Sequence, residues 1–228
     1  MTPLLVMLAR SPSLGAAAVL TRGRLVNAAA LIVVATAVAA VNAARFIGDV
    51  PVSSILYGPE RSPAVGALLD ALGRDRTAVV AYLIEQSWTA VVVVTAFSPM
   101  LLWILGSSAV HSAARLDGKR ARYLPMVVLF AYATALTRIP ADAAAALLGN
   151  GRGLGPQVAQ LIGSAGLIWL AVIAWRAIEA HYAIPPRRAL VVLLVAIVVF
   201  YVVPLALIVI AAVAILVAAV LLDYVPGL

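Results

Sequence analysis

The chain has 228 residues, is 65% hydrophobic and only 11% charged, and carries a net charge of +7 with a mean hydropathy of +1.12. Soluble globular domains are about 25% charged, so the composition excludes an ordinary water-soluble fold and predicts one integral membrane domain over residues 1–228. The absence of cysteine excludes disulfides, thiolate nucleophiles and cysteine-based metal sites.

The chain opens with residues 1–24, a short basic segment. Arg10, Ser11, Pro12 and Ser13 interrupt its apolar stretch, so it does not read as a cleavable signal peptide. The first span runs from about Asn27 to Ala44. An outer loop over 45–77 follows. Within it, Ser62-Pro63 reads as a helix cap with proline at the first helical position. Val65, Leu68, Leu69 and Leu72 form one apolar face, and Gly73 reads as a stop. The result is a short amphipathic helix on the membrane surface. The second span lies within Ala78–Ala114, the third within Tyr123–Leu148, and the fourth within Pro156–Tyr182. A turn at Asn150-Gly151-Arg152-Gly153 separates the last two.

A helix crosses a bilayer core of about 30 Å with about 20 apolar residues. The stretch 188–222 would be about 52 Å long at ~1.5 Å per residue, which exceeds one upright crossing. Pro204 lies in its middle. It either kinks one long span or divides the stretch into two short ones; the apolar neighbours Val202, Val203, Leu205 and Ala206 favour the kinked span. The expected fold is therefore an all-α polytopic transmembrane bundle of five spans, the last long and kinked.

Charge sets the expected orientation. Arg10, Arg22 and Arg24, then Arg115, Lys119, Arg120 and Arg122, then Arg176, Arg187 and Arg188 lie on one side, and six basic residues lie on the other. The side richer in Lys and Arg is cytoplasmic, which puts the N-terminus inside and the C-terminus outside. Fifteen of the sixteen basic residues are Arg. With the heavy Ala and Val content this suggests a GC-rich bacterial genome, and hence the bacterial inner membrane. The positive charge sits beside spans, which points to lipid rather than nucleic acid.

Several groups could carry chemistry. Asp117-Gly118-Lys119-Arg120-Ala121-Arg122 matches the first half of the signature of CDP-alcohol phosphatidyltransferases. That chemistry needs several converging carboxylates to hold metal. The next helix carries Ala131, Ala135 and Ile139 where the signature needs Gly and two Asp, so no enzyme, no metal site and no cofactor is expected. The plainer reading is a solvated turn in which Arg115, Lys119, Arg120 and Arg122 contact anionic lipid headgroups, each contributing about 1 kcal/mol. Glu85, Arg138 and Asp142 form a candidate intramembrane polar cluster. An ionisable group in a span costs ~2.5–3.5 kcal/mol, and Arg138 and Asp142 share a helix face. An interhelical ion pair is the plainer reading, and a proton or substrate relay the functional one. His111 and His181 read as interfacial polar side chains, lacking a third ligand. Trp88, Trp103, Trp169 and Trp175 read as interface or packing aromatics. Ala159, Gly163 and Gly166 form a small-residue side of the fourth span suited to close packing.

From Ser98 to Val203 the chain resembles the bacterial form of the Yip membrane-domain family, named for Ypt/Rab-interacting proteins. The resemblance rests on His111, on Ala114-Arg115-Leu116-Asp117-Gly118-Lys119, on Tyr132-Ala133 and Ile139-Pro140, and on Trp169, Glu179-Ala180-His181 and Arg188-Ala189. Asp117 stands where family members commonly have the first glycine of a pair. The resemblance implies five spans, a cytoplasmic N-terminus and no enzymatic activity. Eukaryotic relatives act in vesicle traffic and bind prenylated small GTPases through an N-terminal region; the two dozen residues before the first span here do not support that role. The expected function is a non-enzymatic membrane protein that organises lipids, membrane-protein partners or its own oligomer. The alternative is a small transporter, or transport-complex subunit, with a polar site near Glu85 and Arg138.

Overall fold

The computed structural model describes residues 2–49, 63–149, 153–202 and 205–206. All described regular structure is helical. In chain order the helices are α1 (Thr2–Arg10), α2 (Pro12–Arg22), α3 (Leu25–Asp49), α4 (Pro63–Leu116), α5 (Tyr123–Leu148) and α6 (Gly155–Tyr182). A seventh, α7, covers 186–202. Four segments are long and apolar enough to cross a membrane: Leu25–Arg45, Trp88–Leu116, Tyr123–Leu148 and Gly155–Tyr182. They correspond to the first four expected spans. The fifth expected span begins as α7; Pro204 and residues 207–222 lie outside the described residues.

Helix α5 is the centre of the bundle. It packs against α3 and α6 on its flanks and against α4 and α2. Met126, Leu129, Ala131, Tyr132 and Ala135 on it are almost fully enclosed. Helix α3, which packs on both α5 and α4, buries a stripe of small side chains at Ala28, Ala35, Ala39 and Ala43. Spacings of seven, four and four residues keep them on one side, and their size lets the helix axes approach closely. Gly166 on α6 makes the same kind of contact, since a Cβ there would lie 3.1 Å from the Thr137 carbonyl oxygen. Gly163 meets nothing within 4 Å, so the small-residue side of α6 contributes to packing through Gly166 and the buried Ala159. Outward, Val33, Val34, Val94, Leu167, Ile168, Val191 and Val198 are exposed. An apolar belt of this extent is unfavourable in water and natural against lipid.

The short basic segment at the start of the chain is built into the fold: α1 and α2 pack on each other and onto α5 and α6. Leu8, Ala16 and Val19 belong to the main core. The break at Arg10–Ser13 is the corner of this hairpin, with Pro12 opening α2 where a missing N–H costs nothing. A Cβ on Gly15 would overlap the Leu8 backbone, so glycine sets the closeness of the two helices. In the 45–77 loop, the helix starts at Pro63 as the sequence predicts. It does not stop at Gly73, because α4 runs unbroken from Pro63 to Leu116. One interior glycine costs a helix only about 1 kcal/mol relative to alanine, and the neighbouring Ala, Leu and Arg residues favour continuation.

Candidate functional site

The basic ends of α4, α5, α6 and α7 meet in one place. Helix α4 closes through a turn in which Gly118 adopts φ +76°, the left-handed region glycine enters without strain. Lys119 N–H donates to the Ala114 carbonyl at 3.0 Å. Helix α6 ends at Ala183, also left-handed at φ 50°, and Pro185 and Pro186 prevent its continuation. The Trp175 indole N–H donates to the Pro186 carbonyl oxygen at 2.8 Å. This brings the first turn of α7 back against the end of α6.

The charged groups here sort into paired and unpaired sets. Arg188 forks onto Asp117, with Nη2 donating to Oδ1 at 2.9 Å and Nε 2.9 Å from Oδ2. Glu179 pairs with Arg176 at 2.9 Å, and Arg176 lies 4.4 Å from the Trp175 ring centre. Both carboxylates of this end among the described residues are thus committed. Arg115, Arg120 and Arg122 are exposed and Lys119 partly so, and no carboxylate among the described residues reaches any of the four.

Beneath this rim, His111 and His181, read from the sequence as interfacial polar side chains, join a polar and aromatic knot whose pairings the sequence did not give. His111 Nδ1 shares a 2.9 Å hydrogen bond with the Tyr182 hydroxyl, and its ring lies 5.0 Å from that of Tyr123. The Tyr123 hydroxyl bonds Ser108 at 2.7 Å and Ser107 at 3.2 Å. His181 Nε2 bonds the Arg122 carbonyl oxygen at 2.8 Å. The two histidines therefore tie α4, α5 and α6 together. The signal was present as His and Tyr near the span ends, but the pairings are 71 and 59 residues apart in sequence.

At the other end the structure joins two members of the predicted intramembrane cluster. Arg138 Nη2 donates to Asp142 Oδ1 at 3.0 Å and to Ser98 Oγ at 3.0 Å. Asp142 is 3% exposed. Its Oδ2 is enclosed without a hydrogen-bond partner in reach, and the Asn42 side chain of α3 lies near the carboxyl. The Glu85 side chain lies outside the described residues. Arg45 donates from Nη1 to the Ala146 carbonyl oxygen, placing a cation at the C-terminal end of α5, where the helix dipole favours one.

An apolar crevice of about 200 Å³ opens between α4, α5, α6 and α7. Gly106, Phe130, Ala171, Leu193 and Ile197 are among the side chains lining it.

These features define a multi-pass helical membrane protein with one strongly basic end. The profile of the Yip1 domain matches residues 6–207, and the chain belongs to the Yip1 domain family. The match extends well before Ser98 and takes in most of α1 and all of α2 and α3, in keeping with their place in the core. No curated protein and no solved structure shows significant similarity to the chain.

Proposed function

We propose that this Yip1 domain is a non-enzymatic component of the bacterial cytoplasmic membrane that gathers anionic lipid, and partner proteins with it, at its basic end. That end faces the cytoplasm, and α7 begins a fifth span that carries the C-terminus outside. The observation that carries the reading is the uncompensated set Arg115, Lys119, Arg120 and Arg122, left free because Asp117 is held by Arg188. At ~1 kcal/mol per basic residue near an anionic surface, the four together provide a substantial preference for anionic headgroups. Asp117, the carboxylate that would begin a metal-dependent headgroup transferase site, is engaged in this ion pair, which supports a role without catalysis.

The test is to replace all four by glutamine and measure lipid retained through purification. Retained anionic lipid should fall at least tenfold while the helical content stays the same. Unchanged retention would refute the reading.

One observation favours transport as a second reading: the enclosed Asp142 Oδ2 without a close hydrogen bond. A proton- or ion-coupled flux in proteoliposomes that is abolished by Asp142→Asn or Glu85→Gln would establish it over the first.

A further inference from the structure

The crevice between α4, α5, α6 and α7 sits at a consistent depth on every helix that forms it. On α4 its lining runs from Val110 up to Leu102, about 9 to 21 Å from the end at Leu116, taking ~1.5 Å per residue. On α7 it runs from Leu193 to Tyr201, about 10 to 22 Å from residue 186. Phe130 on α5 lies about 10 Å from Tyr123, and on α6 Ala174 and Leu167 lie about 12 and 22 Å from Tyr182. The crevice is thus about 12 Å tall, which fits within one leaflet of a ~30 Å hydrocarbon core.

It opens sideways between α6 and α7, where Leu167, Ile197 and Tyr201 are exposed. Anything entering by that mouth comes from the lipid phase. Size selects among the candidates. The crevice is a narrow cleft of about 200 Å³, and a helix with its side chains is ~10 Å across. A hydrocarbon chain fits and a helix does not. Charge selects further. The edge of the crevice nearer the basic end lies about two turns from the rim that carries Arg115, Lys119, Arg120 and Arg122, whose neighbouring carboxylates are already paired. An amphiphile with its chain in the crevice would carry its headgroup to these cations.

We propose that the crevice is a binding site for one acyl chain of an anionic glycerophospholipid from the leaflet at the basic end, with its phosphate on the cationic rim. The proposal rests on the reading of the basic end as a lipid-gathering surface and makes it a defined site rather than a diffuse attraction. Gly106 shapes the floor: a Cβ there would lie 3.0 Å from the Phe130 ring, so glycine keeps that ring back from the cleft.

The test uses the full-length chain in nanodiscs containing phosphatidylglycerol with a mid-chain diazirine, with phosphatidylcholine bearing the same acyl chain for comparison. After photolysis, mass spectrometry of peptides should place adducts on residues 167–174 and 193–201, with at least threefold more from phosphatidylglycerol. Ile197→Trp and Ala171→Phe, which fill the cleft, should each reduce this labelling at least fivefold. Ile197 is 40% exposed, so its variant keeps the test valid if the more enclosed Ala171 variant fails to fold. Labelling spread evenly around the bundle, or undiminished in Ile197→Trp, would overturn the site. So would efficient disulfide dimerisation of Ile197→Cys in membranes, which would assign the mouth to a second copy. If even labelling is accompanied by loss of anionic lipid in the four-glutamine variant, the crevice fails and the lipid-gathering surface survives. If that variant keeps its lipid, the surface itself is refuted.

Discussion

Replacing Arg138 by leucine probes how the bundle tolerates charge inside its spans. The change removes two charge-assisted hydrogen bonds, to Asp142 and Ser98, both 3.0 Å long. Each such bond contributes about 1.5–3 kcal/mol. It also strands Asp142, which is 3% exposed. Removing one partner of a buried pair costs about 3–5 kcal/mol. The Arg138 side chain is 23% exposed, so the lower end applies, and a loss of about 3 kcal/mol is expected. Asp142→Leu should cost a similar amount. The double change to leucine should recover about 2 kcal/mol of the summed loss, because apolar replacement of a whole buried pair is tolerated far better than its rupture. The assay is reversible unfolding in mixed micelles across the double-mutant cycle. A coupling below about 0.5 kcal/mol, the level at which independent sites add, would refute the view that Arg138 is held by its carboxylate partner.

The remaining predictions test other parts of the structure. Gly15→Leu forces a side chain into the Leu8 backbone and should destabilise by about 1–3 kcal/mol, the usual cost of overpacking, with residues 2–22 becoming protease-sensitive before the spans do. Tyr182→Phe leaves His111 without its hydroxyl partner and should cost about 1–3 kcal/mol in thermal or denaturant unfolding, while His111→Phe combined with it should cost no more than the worse single change. Cysteines introduced at Ser13, Ser62 and Gly227 of this cysteine-free chain should show Ser62 and Gly227 labelled by an impermeant thiol reagent from outside and Ser13 protected. Protection at position 227 with labelling at 62 would replace five crossings by six.

What the sequence disclosed and what it concealed follow from the range of the interactions involved. Spans one to four are written in local hydropathy, and their bounds agree with the helices to within a few residues, apart from α3 after Arg45 and α4 before Trp88. The Arg138–Asp142 pair is four residues apart and could be read from helical periodicity. The hairpin of α1 and α2 was concealed because Arg10 and Pro12 read as interruptions, whereas they mark a corner whose value lies in packing onto α5 and α6. The Asp117–Arg188 and His111–Tyr182 contacts bridge 71 residues, and no local pattern encodes them. Asp117, a departure from the usual family pattern when read in sequence, is explained by the partner it holds at the start of α7. The crevice was equally invisible, since small residues at Gly106, Ala171 and Ala196 read simply as close packing. Gly73 misled in the opposite direction, because a single helix-breaking residue is outweighed by a long helix-favouring context.

The most direct test of the lipid-gathering role is affinity purification of the intact protein from its native membrane in mild detergent, with the co-purifying lipids and proteins identified and compared with the bulk membrane. Anionic phospholipid enriched severalfold over its bulk proportion, and lost when Arg115, Lys119, Arg120 and Arg122 are neutralised, is the result the account predicts. A lipid profile indistinguishable from the bulk membrane would contradict it.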